Sequence, residues 1–141
     1  MKKARILCLD VGEKRIGIAL SDPDGRVAFP HKVLNRTSLE KDLGIISDVI
    51  KENHVIRLVI GHPTSLGGGK SQQTILTEKF AEVLKEKVNI ETILWDERLS
   101  TSEADKSLGL MGTKSRKRRD KIDAIAASLI LQNYLDKNRI T

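Results

Sequence analysis

Apolar residues form a short run at Ile6 to Leu9, alternate at Ile16, Ile18 and Leu20, and fall at helical spacing from Leu39 to Ile50. A first strand is predicted from Arg5 to Leu9 and a second from Arg15 to Ser21, with Ile16, Ile18 and Leu20 on one face; a third runs from Val27 to Val33. Ser21-Asp22-Pro23-Asp24-Gly25 supplies the residues of a tight turn, so the second and third strands form a hairpin. Pro30 has no amide hydrogen to give a ladder, which makes the third strand an edge or puts a bulge there. The pattern then turns helical: Thr37 and Glu40 are spaced as a capping box ahead of Leu39, Leu43, Ile46 and Ile50. Arg57 to Gly61 is a continuous apolar strand, buried on both faces. Gly67-Gly68-Gly69 leads into a helix from Ser71 to Lys87 with Leu76, Phe80, Val83 and Leu84 inward, followed by a fifth strand from Ile90 to Trp95. Ser100 and Glu103 cap a short helix ending near Gly109, Leu110 to Arg118 reads as a mobile stretch, and a last helix runs from Arg119 to Leu135 with Ile122, Ile125, Ala126 and Leu129 inward.

The order βββαβαβαα implies an α/β fold: a five-stranded mixed sheet, an antiparallel meander of three strands plus two parallel strands, flanked by helices. At 141 residues without an internal repeat, 1–141 is expected to be one domain. Composition changes the picture in three ways. No apolar run approaches the ~20 residues of a membrane span, and the amino terminus lacks a secretory pattern, so a cytoplasmic protein is expected. The lone Cys8 lies in an apolar strand and reads as core, while His31, His54 and His62 show no zinc-ligand spacing with it. The formal charge of +6 favours an anionic partner without naming it.

Three acidic positions carry the candidate chemistry. Asp10 ends the first strand, and Gly12 and Gly17 beside it are read as leaving the backbone open to a metal or phosphate. Asp96 and Glu97 end the fifth strand; alternation sends them to opposite faces, so one of the two can join Asp10. Asp123 falls beside the inward stripe of the last helix, where an unpaired carboxylate is costly and a metal would offset the cost. Just before it, Lys114, Arg116, Lys117, Arg118, Arg119 and Lys121 put six basic residues within eight positions, suited to holding a phosphodiester backbone against nearby carboxylates. With only Phe29, Phe80, Trp95 and Tyr134 as aromatics, stacking of single-stranded bases is a poor fit, and duplex or structured nucleic acid a better one. A nucleotide P-loop fails, because Thr64 stands where the first glycine belongs before Gly69-Lys70-Ser71.

Leu9-Asp10-Val11-Gly12 with Lys14-Arg15-Ile16-Gly17-Ile18-Ala19 and Ser21-Asp22, then Val59-Ile60-Gly61-His62-Pro63, Asp96-Glu97-Arg98-Leu99-Ser100-Thr101 and Ile122-Asp123-Ala124-Ile125-Ala126-Ala127 together resemble the YqgF family, also described as RuvX. The resemblance covers nearly the whole chain and implies an RNase H-like fold. It further implies metal-dependent nuclease chemistry, either maturing the 5′ end of pre-16S rRNA or cutting Holliday junctions in DNA recombination. Carried over by motif, the catalytic and metal-binding acids are Asp10, Glu97 and Asp123, holding Mg²⁺ or Mn²⁺, with Glu97 preferred over Asp96. Lys14, Arg15, Arg98, Lys114, Arg116, Lys117, Arg118 and Arg119 would bind nucleic acid. One departure from the related RuvC pattern is that the fourth strand ends in Gly61-His62-Pro63 without an acid. A symmetric junction would favour a homodimer, which a single rRNA cleavage does not require. The rival reading is a non-catalytic nucleic-acid-binding module on the same fold.

Overall fold

A computed structural model describes residues 4–63, 71–96 and 116–138, with side chains from 122 onward in the last segment. In chain order the elements are β1 (Arg5–Val11), β2 (Arg15–Ser21), β3 (Ala28–Asn35), α1 (Leu39–Glu52), β4 (Val55–His62), α2 (Gln72–Val88), β5 (Glu91–Asp96) and α3 (Arg116–Lys137). The strands form one sheet in the order β3-β2-β1-β4-β5. β1, β2 and β3 pair antiparallel, while β4 lies parallel to β1 and β5 parallel to β4, which is the mixed sheet expected. The Gly67–Gly69 loop and the short helix ending near Gly109 fall outside the described residues.

Local chemistry explains the turns. The Asp22 carboxylate accepts the amides of Arg26 (2.7 Å) and Val27 (3.0 Å), and Gly25 takes the positive φ of 69° that closes the β2–β3 hairpin. β3 is an edge strand and also bulges: Ile18 pairs with Lys32 but Ala19 with Pro30, leaving His31 as the extra residue. The cap of α1 is Ser38, which accepts the Lys41 amide at 3.2 Å. Thr37, the expected cap, instead donates its amide to the buried Asp42 carboxylate at 3.2 Å, so the helix starts one residue later than the capping-box spacing suggests.

The two faces of the sheet are covered differently. Leu7, Leu9, Val11, Ile16, Ile18, Leu20, Leu58 and Ile60 point toward α1 and α2, meeting Leu43, Ile46, Val49 and Ile50 of the first and Phe80, Ala81 and Leu84 of the second. Val83, expected on that stripe, is 37% exposed; Thr77 and Ala81 are buried in its stead. On the other face α3 covers Cys8, Ala19 and Val59 with Ala127, Ile130, Leu131, Tyr134 and Leu135. The expected inward set of α3, Ile122, Ile125, Ala126 and Leu129, is only partly buried, and the helix is turned to bury Ala124, Ala127, Ile130 and Leu131. Small residues at the start of this stripe, Ala124 and Ala127, let helix and sheet approach closely where Gly17 and Ala19 lie beneath them. α3 also begins earlier than expected, making Arg116–Arg118 helical; 110–115, the rest of the stretch expected to be mobile, lie outside the described residues.

Candidate metal centre

Asp10 stands near the end of β1 on the α3 face, the face of Cys8 two residues before it. Across the sheet it pairs with Gly17 of β2. A Cβ at Gly17 would lie 2.0 Å from the Asp123 carbonyl oxygen and 2.4 Å from its carbon. The backbone of α3 therefore rests on the hydrogen face of Gly17, directly across from Asp10, and this seat brings the Asp123 side chain to Asp10. Asp123 is not beside the inward stripe but continues it, spaced four residues from Ala127. Gly17 thus admits a helix and not a ligand. Gly12 is likewise filled by protein, because a Cβ there would meet the Arg15 carbonyl oxygen at 2.7 Å, and the Gly12 amide donates to that oxygen at 2.8 Å.

The electrostatics of the two carboxylates are unequal. Burial, and after it the negative charge of Asp123, push the Asp10 carboxyl up to about 6 from 3.8. Among the described residues no donor reaches the Asp10 carboxylate. Asp123 has a partner: Arg15 Nε donates to its Oδ2 at 2.7 Å. Behind the site, the β1–β2 turn is braced by two residues that sequence reading did not single out. Gln73 donates to the Val11 carbonyl, and Arg36 Nη1 donates to the Gly12 carbonyl at 3.0 Å. Arg36 is in turn held by Asp42 at 3.3 Å and lies 5.1 Å from the centre of the Phe80 ring. The one sequence signal for this brace was an acid inside the apolar stripe of α1, Asp42 next to Leu43.

At the far edge of the site, Trp95 faces α3, its ring edge-on to Tyr134 at 5.1 Å and its Nε1 donating to Asn133 at 3.0 Å. Asp96 follows on the opposite face, in register with His62, whose Nε2 lies 2.8 Å from Glu78 Oε2 of α2. Asp96 is thereby turned away from Asp10. Glu97, Arg98 and Lys114 lie outside the described residues. Lys14 is exposed in the β1–β2 turn, and Arg116, Lys117, Arg118 and Arg119 occupy the first turns of α3, beginning about 10 Å along the axis from Asp123. Among the described residues no group of three His, Cys, Asp or Glu side chains converges. Asp10 and Asp123 are the two expected acids that the described structure brings together, an oxygen-only pair with surplus negative charge, which is the donor chemistry of hard divalent cations.

A match to the family model for RuvX, Holliday junction resolvase, spans residues 4–137. The chain belongs to the RuvX family. Among its relatives, a protein of Carboxydothermus hydrogenoformans named "Putative pre-16S rRNA nuclease" is 45% identical over 132 residues, 94% of this chain and 96% of that one. A protein of the same name from Syntrophomonas wolfei is 42% identical, covering 94% of each chain. Among solved structures, Thermus thermophilus RuvC in complex with a Holliday junction substrate superposes with a TM-score of 0.63 over 98% of both chains at 11% identity, a likeness of fold. The RuvX sheet and its helices thus share the RNase H-like architecture of a resolvase. No helix among the described residues is long and apolar enough to cross a membrane.

Proposed function

We propose that this RuvX-family chain is a divalent-metal-dependent endonuclease that trims the 5′ end of pre-16S rRNA. The observation that carries the reading is the seating of α3 on Gly17, which sets Asp123 against a largely buried Asp10 whose charge no described residue neutralises. RNA is preferred over a DNA junction because relatives at 42% and 45% identity bear the rRNA nuclease name, whereas the likeness to RuvC is one of fold.

Asp10 and Asp123 would hold Mg²⁺ or Mn²⁺ together with Glu97, the residue after Asp96; the turning of Asp96 toward His62 supports the choice of Glu97. When bound, such a cation supplies the Lewis-acid charge that phosphodiester hydrolysis draws on. The chain does the positioning. Asp10 is rigid because its strand is central in the sheet and the following turn is clamped from behind by Arg36 and Gln73. Lys14, Arg15, Arg98, Lys114 and the basic first turns of α3 supply the cations that hold backbone phosphates near the carboxylates. Four-way DNA junctions are the second substrate class, and their symmetry would call for a homodimer.

The purified protein, given Mn²⁺ or Mg²⁺, is expected to cut a 5′-extended 16S rRNA precursor faster than a four-way DNA junction, and Asp10→Asn to abolish both activities. Undiminished cleavage by Asp10→Asn would overturn the nuclease site. Salt-sensitive binding without cleavage under any metal would establish the binding-module reading.

A further inference from the structure

We infer that Arg15 is the resident counter-ion of the carboxylate pair in the metal-free protein, sitting on Asp123 until a divalent cation displaces it and frees its guanidinium for a substrate phosphate. This rests on the metal-nuclease reading above. The two arginines near the site are built differently. Arg36 is fixed on three sides, by Asp42, by the Gly12 carbonyl and by the Phe80 ring, and its side chain is 16% exposed. Among the described residues Arg15 has Asp123 as its side-chain partner, through its Nε–H, and its side chain is 31% exposed. One arginine is a brace; the other is held by a charge.

Arg15 stands two residues before Gly17 on the same face of β2, so its backbone is anchored in the sheet while its head reaches the site from the solvent side. The guanidinium neutralises one carboxylate of two, and Asp10 is left without a described donor. A divalent cation satisfies both acids at once. A cation that ligates Asp123 competes with Arg15 for the same carboxylate, because a metal and a guanidinium on one carboxylate repel each other. A freed guanidinium keeps five N–H donors in a planar fork matched to phosphate oxygens. Loading of the metal and delivery of a phosphate-binding group are then one event.

The experiment follows the Arg15 Nε–H resonance of the full chain by ¹⁵N NMR during titration with Mg²⁺, the resonance being assigned by its loss in Arg15→Lys. It is expected to leave its hydrogen-bonded position and to exchange faster with water as Mg²⁺ saturates; a resonance that stays in place at saturation overturns the inference. In parallel, calorimetry with Mn²⁺ alone is expected to show Arg15→Gln binding the ion about tenfold more tightly than the unaltered protein, because a competing cation is gone. Equal or weaker binding by Arg15→Gln overturns it. Should Arg15→Gln fail to fold, the NMR titration of the unaltered chain still decides. An unaltered chain that takes up neither ion and cuts nothing removes the nuclease reading and this one together. A chain that binds Mn²⁺ and cuts RNA, with Arg15→Gln unchanged in affinity, removes the Arg15 inference alone.

Discussion

The two faces of the sheet are made of different material. Toward α1 and α2 the strands present Leu, Ile and Val, and the buried ion pair there, Arg36 with Asp42, braces a turn. Toward α3 the strands present Cys8, Gly17, Ala19 and Val59, with the larger Ile6, Ile93 and Trp95 partly buried beside them, and the charged groups around Gly17 are Asp10, Arg15 and Asp123. A face of large side chains keeps two helices at full packing distance and supplies most of the apolar burial. A patch of small ones at Gly17 and Ala19 lets α3 settle close enough for its backbone to touch a strand, and that contact places one carboxylate against another. On the proposed reading stability and reactivity are divided between the faces, and the second offsets some of the stability that the first contributes.

The most disruptive way to break this division is Gly17→Ala. Its Cβ would collide with the Asp123 carbonyl, a backbone atom that cannot rotate away, so α3 must lift. A loss of about 3 kcal/mol in chemical denaturation is expected, and with it loss of RNA cleavage even in the molecules that remain folded. Ile46→Ala, fully buried under the opposite face, should cost about 2–4 kcal/mol. Cleavage per folded molecule should nevertheless be unchanged, since Ile46 touches nothing on the α3 side.

The cost carried by the reactive face can be read from its pH dependence. The Asp10 carboxyl titrates at about 6 when folded against 3.8 as its ordinary value, so the folded state favours the protonated form. In metal-free buffer Asp10 thus withdraws stability as pH rises from about 4 to 6, by about 3 kcal/mol once fully ionised. Asp10→Asn should lack that loss and be the more stable protein at pH 8, though inactive. The difference between the two in urea midpoints, measured from pH 4 to 8, checks it; parallel curves would contradict it. The smallest effect is expected from Gly44→Ala, where a Cβ meets nothing within 4 Å in the interior of α1. It should stabilise by about 0.5–1 kcal/mol, opposite in sign to the same substitution at Gly17.

Periodicity carried the architecture well, because period-two alternation in β2 and the continuous run in β4 are imposed by which faces are covered, and those patterns are local. It misread α3 for a physical reason. Ile122, Ile125 and Leu129 outweigh Ala124 and Ala127 in hydropathy, yet the turn of α3 pressed onto Gly17 buries Ala124, and the large residues of the buried stripe, Ile130 and Leu131, come farther along the helix. Asp10 and Asp123 were legible as acids at element ends, whereas the reason they meet was not: Gly17 read as an opening for a ligand, and its contact with α3 joins positions more than 100 residues apart. Val83 and the Thr37 cap were missed by about one residue each, the scale on which helix rotation and end fraying defeat pattern alone. The brace formed by Arg36 and Gln73 depends on backbone carbonyls, and Asp42 within the apolar stripe of α1 was its one trace in the sequence.

The central claim is that Asp10 and Asp123 share a divalent cation. A crystal grown in Mn²⁺ and measured at the manganese absorption edge tests it directly. An anomalous peak within about 2.3 Å of oxygens from both Asp10 and Asp123 is the expected result. A peak at another position, with these two carboxylates free of metal, would contradict the account.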